Sequence, residues 1–293
     1  MILSMETYRL RSRFGDETAI KMIKEAGFDA FDYSACAPSG KHCDVLEDDY
    51  RERAVALRKY ADSLGIPCNQ AHAPFDDKAV FGASDLNENN YLFSQIVRAI
   101  EVASIMGAPT IIVHAMKYAP EGESLFDANV RLYKSLVPYA ERFGVKIAVE
   151  NLFISISKME KRIPVHADPK EHRSLVRAVG SDMVCACLDV GHAYMVDVNP
   201  ADSIRTLGKE HLKALHIHDN FSLRDLHLLP YTGELKWDQI TDALAEIDYD
   251  CDFTLEIVGY VGRLPDDMLP EGLRLAESVG RRLINEIERK RGN

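Results

Sequence analysis

Eight short apolar runs recur along the chain, each followed by a longer helical pattern, and this alternation constrains the fold more than any other feature. The runs cover 2–5, 30–33, 67–72, 110–114, 146–150, 183–189, 212–216 and 253–257. Continuous apolar runs are the pattern of parallel strands buried on both faces. Helical patterns over 18–26, 46–64, 86–106 and 125–143 stop at Gly27, Gly65, Gly107 and Gly144. Glycine just past the last turn takes the left-handed conformation that closes a helix. Pro200-Ala201-Asp202 opens another helix, and 237–247 and 270–289 complete the series. Repeated strand–helix units without a compositional break predict an α/β protein built as one closed barrel or one doubly wound sheet. The sheet alternative wants a GxGxxG after its first strand, and neither that motif nor a Walker-type loop is present. The 293 residues also suit one (β/α)8 barrel, which needs about 250, so a single domain spanning 1–293 is expected rather than two smaller ones. The segment 151–168 is the longest insertion after a strand and is expected to be a loop at the barrel mouth.

Polar residues close the last six runs. They are His72, His114, Glu150, Asp189 and His216, with Glu256 inside the eighth. In a barrel these positions meet at the C-terminal face, where active sites form. Imidazoles and carboxylates together are donors for Zn²⁺, Mn²⁺, Co²⁺ or Mg²⁺. Several carboxylates crowded at a half-buried mouth repel one another and are costly to desolvate, and a cation removes that cost.

The remaining features narrow the partners. A net charge of −11 and a pI near 5.4 argue against wrapping nucleic acid or lying on anionic membranes. Arg9, Arg11 and Arg13 are a local exception that could meet a phosphate. No apolar run approaches the ~18 residues of a membrane span. The N-terminal stretch lacks a secretory apolar core, so a cytoplasmic protein is expected. Cys36, Cys43, Cys68, Cys185, Cys187 and Cys251 form no paired CxxC units and are expected to be free thiols. His166, His172 and His211 are placed on solvated loops or helix faces, and His42 at the surface. Trp237 is expected to pack at a helix start, and Phe75, Phe221 and Tyr260 to wall a pocket or join the core.

The motifs together resemble the xylose isomerase-like TIM barrels, which include sugar and sugar-phosphate isomerases and epimerases, with endonuclease IV as a relative. The anchors are His72-Ala73-Pro74, Val113-His114, Val149-Glu150-Asn151, Leu188-Asp189-Val190-Gly191-His192, His216-Ile217-His218-Asp219-Asn220, Asp225-Leu226-His227, Gly233-Glu234-Leu235-Lys236-Trp237 and Leu255-Glu256. The resemblance implies one divalent ion held by Glu150, Asp189, His216 and Glu256. It implies that Glu150 and Glu256 move a proton at the carbon next to a sugar carbonyl, through a metal-stabilised enediolate. It makes His192 a further catalytic and substrate-binding residue, with His72, His114, Asn151, His218, Arg224 and His227 as other substrate contacts. Asn151 and Asp219 are also expected to orient the ligands. Arg224 and Arg263 lie after strands where barrels often bind phosphate. A dimer or tetramer is a further expectation of the resemblance.

Departures from the family are visible. Ketohexose 3-epimerases of this kind carry a Glu where this chain has Ile156 and an Arg where it has Ser222, and their Pro-Gly-x-Gly is reduced to Thr232-Gly233. Other readings stay open. His72, His114, Glu150, Asp189, His192, His216, Asp225, His227 and Glu256 also match the ligand types of endonuclease IV, a multi-zinc enzyme of abasic DNA. A lyase or dehydratase acting on a keto-inositol or keto-glycoside needs the same metal and base. A metal-free sugar-binding or assembly protein on the same fold is the reading outside enzymology.

Overall fold

The computed structural model describes residues 1–35, 47–156, 161–221 and 224–292, with Lys161 described for its backbone alone. Cys36, Cys43, His42 and Ser222 lie outside the described residues. The eight expected strands are all present: β1 Leu3–Glu6, β2 Ala30–Ser34, β3 Cys68–His72, β4 Thr110–Val113, β5 Lys146–Glu150, β6 Val184–Asp189, β7 Leu212–His216 and β8 Phe253–Leu255. They form one parallel sheet in the order β8-β1-β2-β3-β4-β5-β6-β7. A parallel bridge between Ile217 and Leu255 closes the sheet into a barrel. The chain is a (β/α)8 barrel.

Helices α1 Asp16–Ala26, α2 Tyr50–Leu64, α3 Tyr91–Met106, α4 Leu125–Phe143, α5 Pro169–Val179, α6 Pro200–His211, α7 Trp237–Glu246 and α8 Leu269–Arg291 follow the strands in turn. As expected, Gly27, Gly65, Gly107 and Gly144 close α1 to α4 at positive φ. Helix α5 was not visible as a separate pattern. Its start is nevertheless well marked: Pro169 occupies the first turn, and the Asp168 carboxylate accepts from the Lys170 and Glu171 amides at 2.9 Å. Its burial corrects the placing of two histidines. His166 and His172 are each 1% exposed. His172 Nε2 donates to the Val149 carbonyl at 2.9 Å, fastening α5 to the outer face of β5. The insertion after β5 is an antiparallel ribbon, Leu152–Ile156 paired with Lys161–Val165, rather than an irregular loop.

Period-two alternation divides the core. Ile147 and Val149 of β5 face the helices, in the large outer cluster that also holds Leu188 and Leu215. A separate small cluster, Ile112, Ala148, Cys185, Cys187 and Ala214, fills the barrel interior beneath β4 to β7. Cys68, Cys185 and Cys187 are buried free thiols, as expected, and Cys251 is half-buried. The interior under β1, β2, β3 and β8 is polar instead. Ser4 and Thr254 share a hydrogen bond of 2.9 Å, and Gln70 Nε2 donates to Asp32 Oδ2 at 2.7 Å. Continuing the inward register one step carries Ala148 to Glu150, Cys187 to Asp189 and Ala214 to His216, so the strands deliver their terminal polar groups to the mouth.

Candidate metal centre

Glu150 is the hub of the mouth. It is 1% exposed. Its Oε2 lies 3.0 Å from His114 Nε2 and 3.7 Å from His72 Nε2. Its Oε1 lies 3.2 Å from His192 Nδ1 and 3.3 Å from His216 Nδ1. His216 Nδ1 also lies 3.3 Å from Glu256 Oε2 and 4.0 Å from Asp189 Oδ2. One ligand atom from each of Glu150, Asp189, His216 and Glu256 falls within 4.8 Å of all the others. Donor–metal bonds of about 2.0–2.2 Å give donor–donor edges of roughly 3.0–3.6 Å in octahedral or tetrahedral sites; the two 3.3 Å spacings of His216 Nδ1 fall in that range, and its 4.0 Å spacing to Asp189 lies beyond it. Glu150 Oε2 and Glu256 Oε2 are buried without a hydrogen-bond partner among the described residues, as expected of groups gathered for a cation.

Further donors surround this centre. His72, His114 and Glu150 form one triad, and His192, His218, Asp225 and His227 form another group of four. Asp225 and His227 come from an antiparallel ribbon after β7, in which Asp219–Phe221 pairs with Arg224–Leu228. In three imidazoles Nδ1 is spent on a backbone carbonyl: His72 on Ala73 at 2.9 Å, His192 on Asn151 at 3.1 Å, His227 on Glu256 at 3.0 Å. Each then turns Nε2 towards a carboxylate, Glu150 or Asp225. A backbone carbonyl on one nitrogen fixes the tautomer and orientation in which each imidazole presents the other nitrogen to the acids.

The electrostatics agree. Burial alone lowers the basicity of His216, but the Glu256 and Glu150 carboxylates outweigh it and push the imidazole up to about 9. Burial is likewise outweighed at His227, which Asp225 and Glu256 raise to about 10. Burial raises Asp189, yet His192 and His218 pull it down to about 2. Burial also opposes ionisation of Glu150, and His216 and His114 hold it well below the usual carboxylate range. Positive charge is therefore strongly favoured here, whether as protons or as a metal ion.

A second layer of hydrogen bonds fixes these side chains. The Asp189 amide donates to Asn151 Oδ1 at 2.8 Å, and Asn151 Nδ2 returns a bond to the Asp189 carbonyl at 2.9 Å. His218 Nε2 donates to Asp189 Oδ1 at 2.9 Å. Gly191 is needed beneath it, because a Cβ there would lie 2.1 Å from His218 Cε1. Asp219 accepts from Trp237 Nε1 at 2.9 Å and from the Asn220 and Leu235 amides, while Asn220 Oδ1 accepts from the Leu226 and His227 amides and so aims the ribbon. Asn151 and His218 thus brace the centre from behind, outside the residues that line the cavity.

The cavity above these donor groups holds about 550 Å³. His72, His114, His192 and His227 line it. Phe75 also lines it and stacks on His114 with ring centroids 4.0 Å apart. Arg224 is exposed in the ribbon and is not among the lining residues, nor are Phe221, Tyr260 and Arg263. Arg263 donates to the Leu226 carbonyl, and Tyr260 to the Gly272 carbonyl. Arg11 pairs with Asp16 at 2.8 Å, and Arg13 with Asp266, so neither extends freely from the surface. Sequence reasoning missed Glu6 and Ser34, which line the β1–β2 side, and Phe153, which meets His192 edge-on. Burial first, then Glu256 and Asp32, push the Glu6 carboxyl up to about 8. Among the described residues, no helix is long and apolar enough to cross a membrane.

Comparison with known proteins places this architecture. An uncharacterised protein, y4fM, of Sinorhizobium fredii is 26% identical over 259 residues, spanning 80% of this chain and 78% of that one. The crystal structure of a D-tagatose 3-epimerase-like protein superposes with a TM-score of 0.73 at 21% identity, covering 99% of both chains. That of 3-keto-D-glucoside 4-epimerase YcjR from E. coli gives 0.67 at 18% identity, covering 95% of this chain and 99% of the other. At these identities the two structures share the fold. The model of the xylose isomerase-like TIM barrel family matches residues 20–279, and the chain belongs to that family.

Proposed function

We propose that the protein is a divalent-metal-dependent isomerase or epimerase that moves a proton next to the carbonyl of a keto-sugar or sugar phosphate. One observation carries this reading: Glu150, Asp189, His216 and Glu256 converge at ligand spacing on the floor of an open cavity. The likeness to a D-tagatose 3-epimerase-like protein and to 3-keto-D-glucoside 4-epimerase supports it.

Glu150, Asp189, His216 and Glu256 would hold the ion, Mn²⁺, Zn²⁺, Co²⁺ or Mg²⁺ by donor type. When bound, such an ion supplies Lewis acidity to the carbonyl and hydroxyl oxygens of the sugar. Glu150 and Glu256 come from β5 and from the end of β8, and reach the cavity from different sides. One removes the proton from the carbon beside the carbonyl, and the other returns a proton to the opposite face, which inverts the centre. His192, whose Nδ1 is fixed by the Asn151 carbonyl, orients a sugar oxygen. His114, stacked under Phe75, does the same from the β4 side, and Phe75 and Phe153 keep water from the reacting carbon.

The test is solvent exchange. Protein purified without chelator or metal-binding tag, loaded with Mn²⁺ or Co²⁺, is incubated in D₂O with a panel of ketoses, keto-glycosides and their phosphates. Deuterium entering the carbon next to the carbonyl, seen by NMR, is the expected result. No exchange with any member of the panel rules the reading out.

A second reading is favoured by the outer donors. All nine residues that match the ligand types of endonuclease IV gather at the one mouth: six fall in groups that share members, and His192, Asp225 and His227 form a separate group that His192 Nδ1 joins to Glu150 at 3.2 Å. An endonuclease IV-like phosphodiesterase would hold more than one zinc per chain and cleave abasic DNA. The net charge of −11 and the internal pairing of Arg11 and Arg13 oppose it. Elemental analysis separates the two: about one ion per chain for the epimerase reading, more than one zinc for the other.

A further inference from the structure

Glu6 is a buried acid that the proton transfer does not use. It ends β1, two residues after Ser4 and therefore on the same inward face. It is 3% exposed, and it lines the cavity together with Tyr8 and Ser34. Its one hydrogen bond among the described residues is from the Tyr8 amide to Oε1. A carboxyl group has about four lone-pair positions, so most of its capacity is open towards the cavity. Among the described residues it forms no ion pair, and the neighbouring acids, Asp32 and Glu256, repel rather than neutralise it. A buried polar group in that condition is costly unless whatever fills the cavity completes its bonding.

We propose that Glu6 is a substrate-recognition residue that hydrogen-bonds a hydroxyl of the bound sugar on the β1 side of the cavity. The proposal rests on the keto-sugar reading above. A hydroxyl group both donates and accepts, so it satisfies the Glu6 carboxyl in either ionisation state. Its position decides which hydroxyl. In the ring of strands β1 lies next to β8 and opposite β5. Glu6 therefore faces the bound sugar from the Glu256 side of the cavity, across the barrel from Glu150, and would select keto-sugars that carry a hydroxyl there. A site built to bond a hydroxyl rejects the analogue that lacks it far more strongly than an apolar pocket does.

The experiment compares wild type, Glu6→Gln and Glu6→Ala, each loaded with Mn²⁺ and each assayed for metal content and melting temperature. Exchange kinetics are measured on the best keto-sugar of the panel and on its deoxy analogues, each lacking one hydroxyl. Glu6→Ala is expected to keep the wild-type metal content and lose about 10- to 100-fold in kcat/KM on the full sugar, mostly through KM. On one particular deoxy analogue, wild type and Glu6→Ala should be equal within about threefold, because the partner hydroxyl is already gone. Glu6→Gln, which can still bond a hydroxyl, should recover to within about tenfold of wild type. An active wild type alongside a Glu6→Ala variant with unchanged kcat/KM and unchanged deoxy-sugar selectivity overturns the assignment and leaves the epimerase reading standing. Loss of metal in Glu6→Ala also overturns it, by making Glu6 a support of the ion. A wild type that exchanges no keto-sugar removes both.

Discussion

Removing the metal should reverse the way stability responds to pH. In the metal-free centre His216 is held at about 9, against 6.5 ordinarily, by Glu256 and Glu150 acting against its burial. A folded-state value above the unfolded one means that the native state binds the proton more tightly. The contribution is fully present below about 6.5 and is lost as pH rises through about 9. At ~1.4 kcal/mol per pH unit the gap amounts to about 3 kcal/mol. For a domain of this size that is a fall in melting temperature of roughly 5–10 °C between those limits. The metal-loaded protein should behave oppositely, because an ion requires the neutral imidazole and competes with the proton for it. Its stabilisation should grow with pH over the same range. The assay is thermal unfolding of chelator-treated and metal-loaded protein at half-unit pH steps, with calorimetric titration at pH 7 in two buffers of different ionisation enthalpy. About one proton should be released per ion bound. A metal-free melting temperature that stays level or climbs from pH 6.5 to 9 would refute the raised basicity of His216, and binding without proton release would refute its ligand role.

Three substitutions probe other parts of the centre. Glu150→Gln removes the carboxylate that four histidines approach, and should lower kcat at least about 10³-fold and reduce retained metal, read by exchange kinetics and elemental analysis. Asn151→Ala breaks both bonds to the Asp189 backbone; about 2–4 kcal/mol of stability should be lost in urea titration, with metal affinity down about 10- to 100-fold. Gly191→Ala would drive a Cβ into the buried His218 ring, so about 3 kcal/mol of destabilisation is expected, and a variant as stable as wild type would show that this ring is free to move.

Much of this was readable from the chain because barrel strands end abruptly. Glu150, Asp189 and His216 each stand at the last inward position of an apolar run, where a charged residue has no core-packing role. Glu6 and Asp32 escaped notice for the complementary reason. Glu6 follows the short 2–5 run by one residue, and Asp32 sits between Phe31 and Tyr33 inside β2, where strand periodicity, not composition, reveals that it points inward. Helix α5 was hidden by its polar surface: only His172, Leu175, Val176 and Val179 are buried. A histidine in that stripe reads as solvated until its carbonyl partner, Val149, is known from the tertiary structure. Arg224 shows the reverse limit, since its place after β7 suggested the pocket but the ribbon turns it to solvent.

The ribbon after β7 gives this mouth two kinds of permanence. Glu150, Asp189 and His216 cannot be moved without shifting a strand register, and a slip of one residue would turn them into the helix layer. Asp225 and His227 are carried by a short excursion, fastened by Asn220 and by the close packing of Gly259 against the Leu226 carbonyl. Lengthening or shortening that excursion would add or delete outer donors while the inner four stayed in register. How many donors such a mouth offers is then a property that one loop can rewrite, whereas Glu150 and Glu256 are carried by β5 and the end of β8 and come with the fold itself.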